Sequence, residues 1–100
     1  MADVLNPDAL HHGLDTLDGW TGTLEGITKT FTFADFAESM RFVSWVADLA
    51  EDANHHPDIH VRWNTVRLDL VTHSAGGATQ ADLDLAEKIE QIPGPEADAS

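Results

Sequence analysis

The stretch ITKTFTFADFAESMRFVSWVADLAEDANHHPD, residues 27–58, decides the fold. Its first seven residues alternate. Ile27, Lys29, Phe31 and Phe33 fall on one face, and Thr28, Thr30 and Thr32 on the other. A period of two in β-branched and aromatic residues predicts a strand. The period then lengthens. Phe36, Met40, Val43 and Ala47 recur at spacings of three and four, Ala50 extends the stripe, and Phe42, Trp45 and Leu49 widen it. That pattern predicts a long amphipathic helix with these residues mostly in the core. The switch falls at Thr32-Phe33-Ala34-Asp35, which has capping-box spacing and places Thr32 just before the helix. Asn54 is suited to end the helix after about Ala53, and Pro57 blocks continuation. Lys29 interrupts the apolar strand face and is expected near a sheet edge.

Upstream, Asn6 and Pro7 read as a cap and a first helical residue. A short helix to about Leu14 would present Leu10 and Leu14, limited by Gly13 and Gly19. Trp20–Leu24 reads as a strand joined to Ile27–Phe33 through Glu25-Gly26. Downstream, Ile59–Trp63 and Val66–Thr72 read as strands around Asn64-Thr65. Ser74–Gly77 is a turn. Thr79-Gln80-Ala81-Asp82 is a second capping box, opening a helix to about Ile92 with Leu85, Ile89 and Ile92 as its stripe and Ala86 beside it. The order is a short helix followed by ββαββα. It predicts an α+β, two-layer domain with a four-stranded antiparallel sheet over residues 1–92. Pro93-Gly94-Pro95 ends the last helix, and residues 93–100 read as a flexible acidic tail.

One hundred residues suffice for one core, of modest stability, so self-association is expected. The formal charge of -13 argues against nucleic acid or an anionic membrane as partner. The five basic residues, Lys29, Arg41, Arg62, Arg67 and Lys88, form no run. Cysteine is absent, which removes disulfides, thiol nucleophiles and thiolate metal sites. No apolar run is long enough to span a bilayer, and MADVLNPDALHH lacks the features of a secretory signal. A soluble, cytoplasmic protein is expected.

The candidate chemistry lies in histidine. His55 and His56 follow the long helix directly, and His73 ends the fourth strand at the mouth of a turn. Imidazoles exchange protons near neutral pH, so this grouping points to acid–base work on a small molecule. Each has a plainer reading: solvated histidines after a helix, and a strand-end histidine bonded to backbone. Asp82 reads both as the acid of its capping box and as a carboxylate that orients an imidazole. Asp58 could serve instead, or complete the turn after Pro57. Glu51 is spaced to reach His55 one helical turn away. Trp63 could stack on a flat heterocycle or pack under the last helix. His60 reads as a surface residue. His55, His56, His73 and Asp82 could also supply metal ligands, but no H-E-x-x-H or H-x-H pair is present, so no metal is expected.

The motifs E51-x-x-x-H-H-P-D58, R62-W63-N64, T72-H73-S74-A75-G76-G77 and T79-x-x-D82-x-x-L85-A86 together resemble the pterin-4a-carbinolamine dehydratases. The resemblance continues upstream through G19-W20, G26, F31-T-F33 and F36, and covers roughly residues 19–92. It implies a ββαββα domain that assembles as dimers or tetramers and uses no metal or organic cofactor. It implies a lyase that removes water from 4a-hydroxytetrahydropterin to give quinonoid dihydropterin. The family's three active-site histidines fall on His55, His56 and His73, and its aspartate on Asp82. Trp63 and Asp58 are carried as substrate-binding candidates. Ile59, Trp63 and Ala78 stand where many members have tryptophan, tyrosine and leucine, which bears on substrate preference. Some members double as partners of a homeodomain transcription factor, a role that no motif of this chain carries. His11 and His12 lie outside the signature. The competing class is a noncatalytic acidic module that binds a protein, and a metal-dependent hydrolase or isomerase is a second enzyme alternative.

Overall fold

A computed structural model of the chain describes residues 3–92. Among these residues the order is α1 (Pro7–Asp15), β1 (Thr21–Thr23), β2 (Gly26–Thr32), α2 (Phe36–Ala53), β3 (Asp58–Arg62), β4 (Thr65–Leu70) and α3 (Gln80–Glu90). The strands form one antiparallel sheet in the order β1-β2-β4-β3. The architecture is the expected α+β domain. The acidic segment 93–100 lies outside the described residues.

The alternation of β2 and β4 places the core. Ile27 sits opposite Leu70, Lys29 opposite Leu68 and Phe31 opposite Val66, all turned to one face and all buried. Ile59 and Val61 of β3 continue that face and pack against the core. Phe42 and Val46 of α2 and Leu85, Ala86 and Ile89 of α3 close it. Phe31, Phe33 and Phe42 meet with ring centroids 4.6–6.5 Å apart. The other sheet face carries Thr28, Thr30, Thr32, Arg67, Asp69 and His60, all polar.

Several local features depart from expectation. Asp35, not Thr32, caps α2, accepting from the Glu38 amide at 2.9 Å, and Thr32 is the last residue of β2. Both positions satisfy the sequence pattern, and sheet pairing of Thr32 with Thr65 decides between them. Gly26 belongs to β2, so the first hairpin turns at Leu24-Glu25. The second turns at Trp63-Asn64, and β4 ends at Leu70, with Thr72 in an isolated bridge to Gly77. Gly13 lies inside α1, where a Cβ would come 2.5 Å from Leu83 Cδ1, so its small size permits close approach to α3.

The buried stripe of α2 is Ser39, Phe42, Val46 and Ala50, with Val43 and Leu49 half-buried. Phe36, Met40, Trp45 and Ala47 are exposed. The expected stripe was rotated, because α2 has more apolar residues than one face holds and contact with the sheet selects among them. Lys29 is buried on an inner strand rather than placed at an edge. Its ammonium donates to Glu90 Oε2 at 2.8 Å and to the Asp18 carbonyl at 2.9 Å, and lies 4.7 Å from the Phe31 ring centroid. Trp20 Nε1 donates to the same Glu90 oxygen at 2.9 Å. Glu90 makes the buried lysine tolerable, and the sequence pattern gave no sign of that partner.

Candidate active site

Three chain segments converge at one end of the fold. The first is the end of α2. Asn54 adopts the left-handed conformation (φ 51°) and terminates the helix. Asparagine tolerates that region better than most residues. The His55 amide then donates to the Ala50 carbonyl at 3.0 Å, which folds His55 back against the helix end. The second is the loop after β4. The Thr72 amide donates to the Gly77 carbonyl, and the Thr72 carbonyl accepts from Ala75, Gly76 and Gly77. Gly76 (φ 81°) supplies the left-handed residue this tight loop needs. The third is the start of α3, where Thr79 and Asp82 form the expected capping box.

Asp82 joins them. Its carboxylate is fully buried. Oδ2 accepts from the Thr79 amide at 2.8 Å and from the Thr72 hydroxyl at 2.9 Å. Oδ1 meets His55 Nε2 at 2.5 Å. The His55 side chain is 15% exposed, so one ring edge is sequestered and part of the ring reaches solvent. The two readings of Asp82, helix cap and imidazole partner, therefore hold together. A buried carboxylate needs this many donors to offset its desolvation.

The other candidates divide. His73 follows Thr72 directly and is exposed on the loop. His56 is exposed, and Glu51 reaches His56 (2.6 Å) rather than His55, since His55 turns inward to Asp82. Asp58 opens β3, exposed and one residue beyond Pro57. Trp63 is not brought to this end within one chain. It occupies the β3–β4 turn, at the far end of β3 from Asp58, with a positive φ of 50° and 65% exposure, so it does not pack under α3. His60 is a surface residue on the open sheet face, bonded to Asp69 at 3.0 Å. Among the described residues, no group of three or more histidine, aspartate or glutamate side chains is placed to hold a metal ion, and no helix is long and apolar enough to cross a membrane. Reasoning from the sequence missed Thr72 as part of the site. Its signal was its place as the first residue of the T72–G77 motif, directly before His73.

Open-sheet electrostatics centre on Asp69. Burial pushes its carboxyl upward. Hydrogen bonds from Thr28 (2.6 Å) and Arg67 (3.1 Å) and the charges of Arg67 and His60 outweigh that, so it lies below the ordinary 3.8.

This two-layer fold is that of the pterin dehydratases. The family model for pterin 4 alpha carbinolamine dehydratase matches residues 3–92, and the chain belongs to that family. A relative from Thermosynechococcus vestitus that bears the family's name is 44% identical over 92 residues, covering 92% of this chain and 97% of that protein. One from Roseiflexus sp. is 48% identical, covering 92% and 99%. The crystal structure of a transcriptional coactivator/pterin dehydratase from Brucella melitensis superposes with a TM-score of 0.87 at 35% identity, covering 92% of this chain and all of that one. A pterin dehydratase-like RuBisCO assembly factor of the alpha-carboxysome shares the fold, with a TM-score of 0.61 at 23% identity over 76% of this chain and 88% of that one.

Proposed function

We propose that this protein dehydrates a 4a-hydroxytetrahydropterin to the quinonoid dihydropterin by histidine acid–base catalysis. The observation that carries the reading is the 2.5 Å contact between half-sequestered His55 and fully buried Asp82. A hydroxyl and a ring N–H sit on adjacent atoms of the substrate. An acid protonates the departing hydroxyl, which leaves as water. A base takes the nitrogen proton, and the carbon–nitrogen double bond forms. Electrons stay within the substrate, so the step balances without oxidant or reductant.

In this reading His55 and His73 are the proton-transfer pair. Asp82 orients His55 through the bond to Nε2. His56, exposed beside them, binds and polarises the pterin, with Asp58 as a further polar contact. The test is absorbance-monitored dehydration of freshly generated 4a-hydroxytetrahydropterin with chelator present. A rate well above buffer that falls roughly 100-fold or more in the His55→Ala/His73→Ala double variant supports the assignment. An unchanged rate in that variant ends it. No acceleration by the folded protein across several pterins would favour the acidic protein-binding module, for which the exposed Phe36, Met40 and Trp45 offer a surface.

We also propose that the working form is a homo-oligomer. β3 is an open edge with half-buried Ile59 and Val61, whereas β1 is only three residues long. Exposed edge strands template pairing with another chain. Antiparallel pairing of two β3 strands about His60 sets Asp58 against Arg62 of a second copy, opposite in charge and on the same face. The same register brings Trp63 of the second copy opposite Pro57, beside His56, where an exposed indole can meet a flat heterocycle.

A further inference from the structure

The hydroxyl protons of the buried network can be counted. An ionised Asp82 only accepts, so Thr72 Oγ1 spends its single proton on Asp82 Oδ2, 2.9 Å away. Thr72 Oγ1 also lies 2.7 Å from Thr79 Oγ1. With its own proton committed, Thr72 must accept there, so Thr79 donates. Thr79 Oγ1 in turn accepts from the Ala81 amide at 3.2 Å. Every proton in the chain Ala81 amide, Thr79, Thr72, Asp82 therefore points toward the carboxylate. Such aligned donors polarise one another and stabilise the anion. Oδ2 is occupied by Thr72 and Thr79, which leaves Oδ1 facing His55.

We infer that Thr72 is a positioning residue for the reaction, acting through Asp82 to fix the proton of His55 on Nε2 and leave Nδ1 as its working nitrogen. Neutral His55 presents Nδ1 as a base, and imidazolium His55 presents Nδ1–H as an acid. Either way the nitrogen bonded to Asp82 stays out of the exchange. The inference rests on the dehydratase reading for its catalytic part and on the hydrogen-bond geometry alone for its tautomer part.

Thr72 is suited to a clean test because its two roles use different atoms. Its backbone closes the loop that displays His73, and its hydroxyl grips Asp82. Thr72→Val keeps the backbone bonds and the shape while removing the hydroxyl. Thr72→Ser keeps the hydroxyl. The primary readout is the nitrogen NMR spectrum of the labelled His55 ring across a pH titration, with no substrate present. The wild type and Thr72→Ser should show neutral His55 with Nε2 protonated and Nδ1 bare. Thr72→Val should show a mixed tautomer population. In the dehydration assay, kcat should fall about tenfold in Thr72→Val, with KM within about twofold, and recover in Thr72→Ser.

A wild-type spectrum in which neutral His55 carries its proton on Nδ1 overturns the inference, whatever the activity. So does a Thr72→Val protein with an unchanged His55 tautomer. If Thr72→Val does not fold, the tautomer of neutral His55 in the wild type and in Asp82→Asn still decides it. Absence of activity in a wild type with the expected tautomer would instead remove the dehydratase reading and leave the positioning geometry standing.

Discussion

His55 and Asp82 lie 27 residues apart in sequence and are joined by a 2.5 Å contact between Nε2 and Oδ1. One belongs to the end of α2 and the other to the first turn of α3, so the pair also fastens the two helices at the site. Asp82→Asn keeps the size and an acceptor for the Thr79 amide but removes the charge. Dehydration should fall at least about tenfold, and the unfolding midpoint in urea should drop by an amount corresponding to about 1–3 kcal/mol. A variant with wild-type kcat would show that the carboxylate serves the fold alone.

His56 stands outside that network, exposed and paired with Glu51. Replacing it by alanine should leave stability within about 0.5 kcal/mol, as for an exposed site. Its effect on catalysis should appear mainly in KM. Steady-state kinetics beside the His55→Ala variant separates the two histidines, since loss at His55 should appear in kcat.

Glu90 receives both Lys29 and Trp20 in the lower part of the core. Glu90→Ala would leave the Lys29 ammonium buried with only the Asp18 carbonyl. It should cost about 3 kcal/mol in chemical denaturation, at the low end for a broken buried pair because the Glu90 side chain keeps 23% exposure. Lys29→Met should cost less, since methionine fills the same slot and leaves Glu90 access to water and Trp20.

Asp69 gives the fold an acid-sensitive element. Its carboxyl is held below the ordinary 3.8, so the folded state favours the ionised form. That stability is present above the unfolded-state value and is lost as pH falls from about there through the lower folded value. Asp69→Asn should therefore lower the melting temperature at pH 7, and the gap to wild type should close as pH drops below 3.8. A gap that is constant with pH would assign the loss to packing.

Self-association through β3 has a direct chemical readout, because the chain contains no cysteine. The two-residue turn makes Arg62 and Thr65 a hydrogen-bonded pair, so by alternation His60 turns its backbone to β4, and Ile59 and Val61 turn theirs to the free edge. Two strands paired about His60 then place their residues 60 side by side without hydrogen bonds, at about 4.5 Å between Cα atoms. That separation is within disulfide reach. His60→Cys should form a covalent dimer under mild oxidation, and Asp58→Cys alone should not. The reverse pattern would move the register or the interface.

The sequence by itself determined the class of fold and the family. The change from period two to period 3.6 at residues 27–53, the Thr79–Asp82 capping box and the prolines and glycines between elements mark local preferences, and local preferences are written in adjacent residues. The histidines and Asp82 were legible as motifs for the same reason. Tertiary structure alone decided which apolar residues of α2 are buried, because the sheet it packs on chooses between two adjoining stripes. It decided that Glu90 answers Lys29 across 61 residues, and that Glu51 meets His56 while His55 turns to Asp82. It also drew Thr72 into the site, and left Trp63 at the opposite end of β3. Each is a pairing of side chains from distant segments, fixed by the burial and hydrogen-bonding demands of the assembled core, and such demands have no signature in the spacing along the chain.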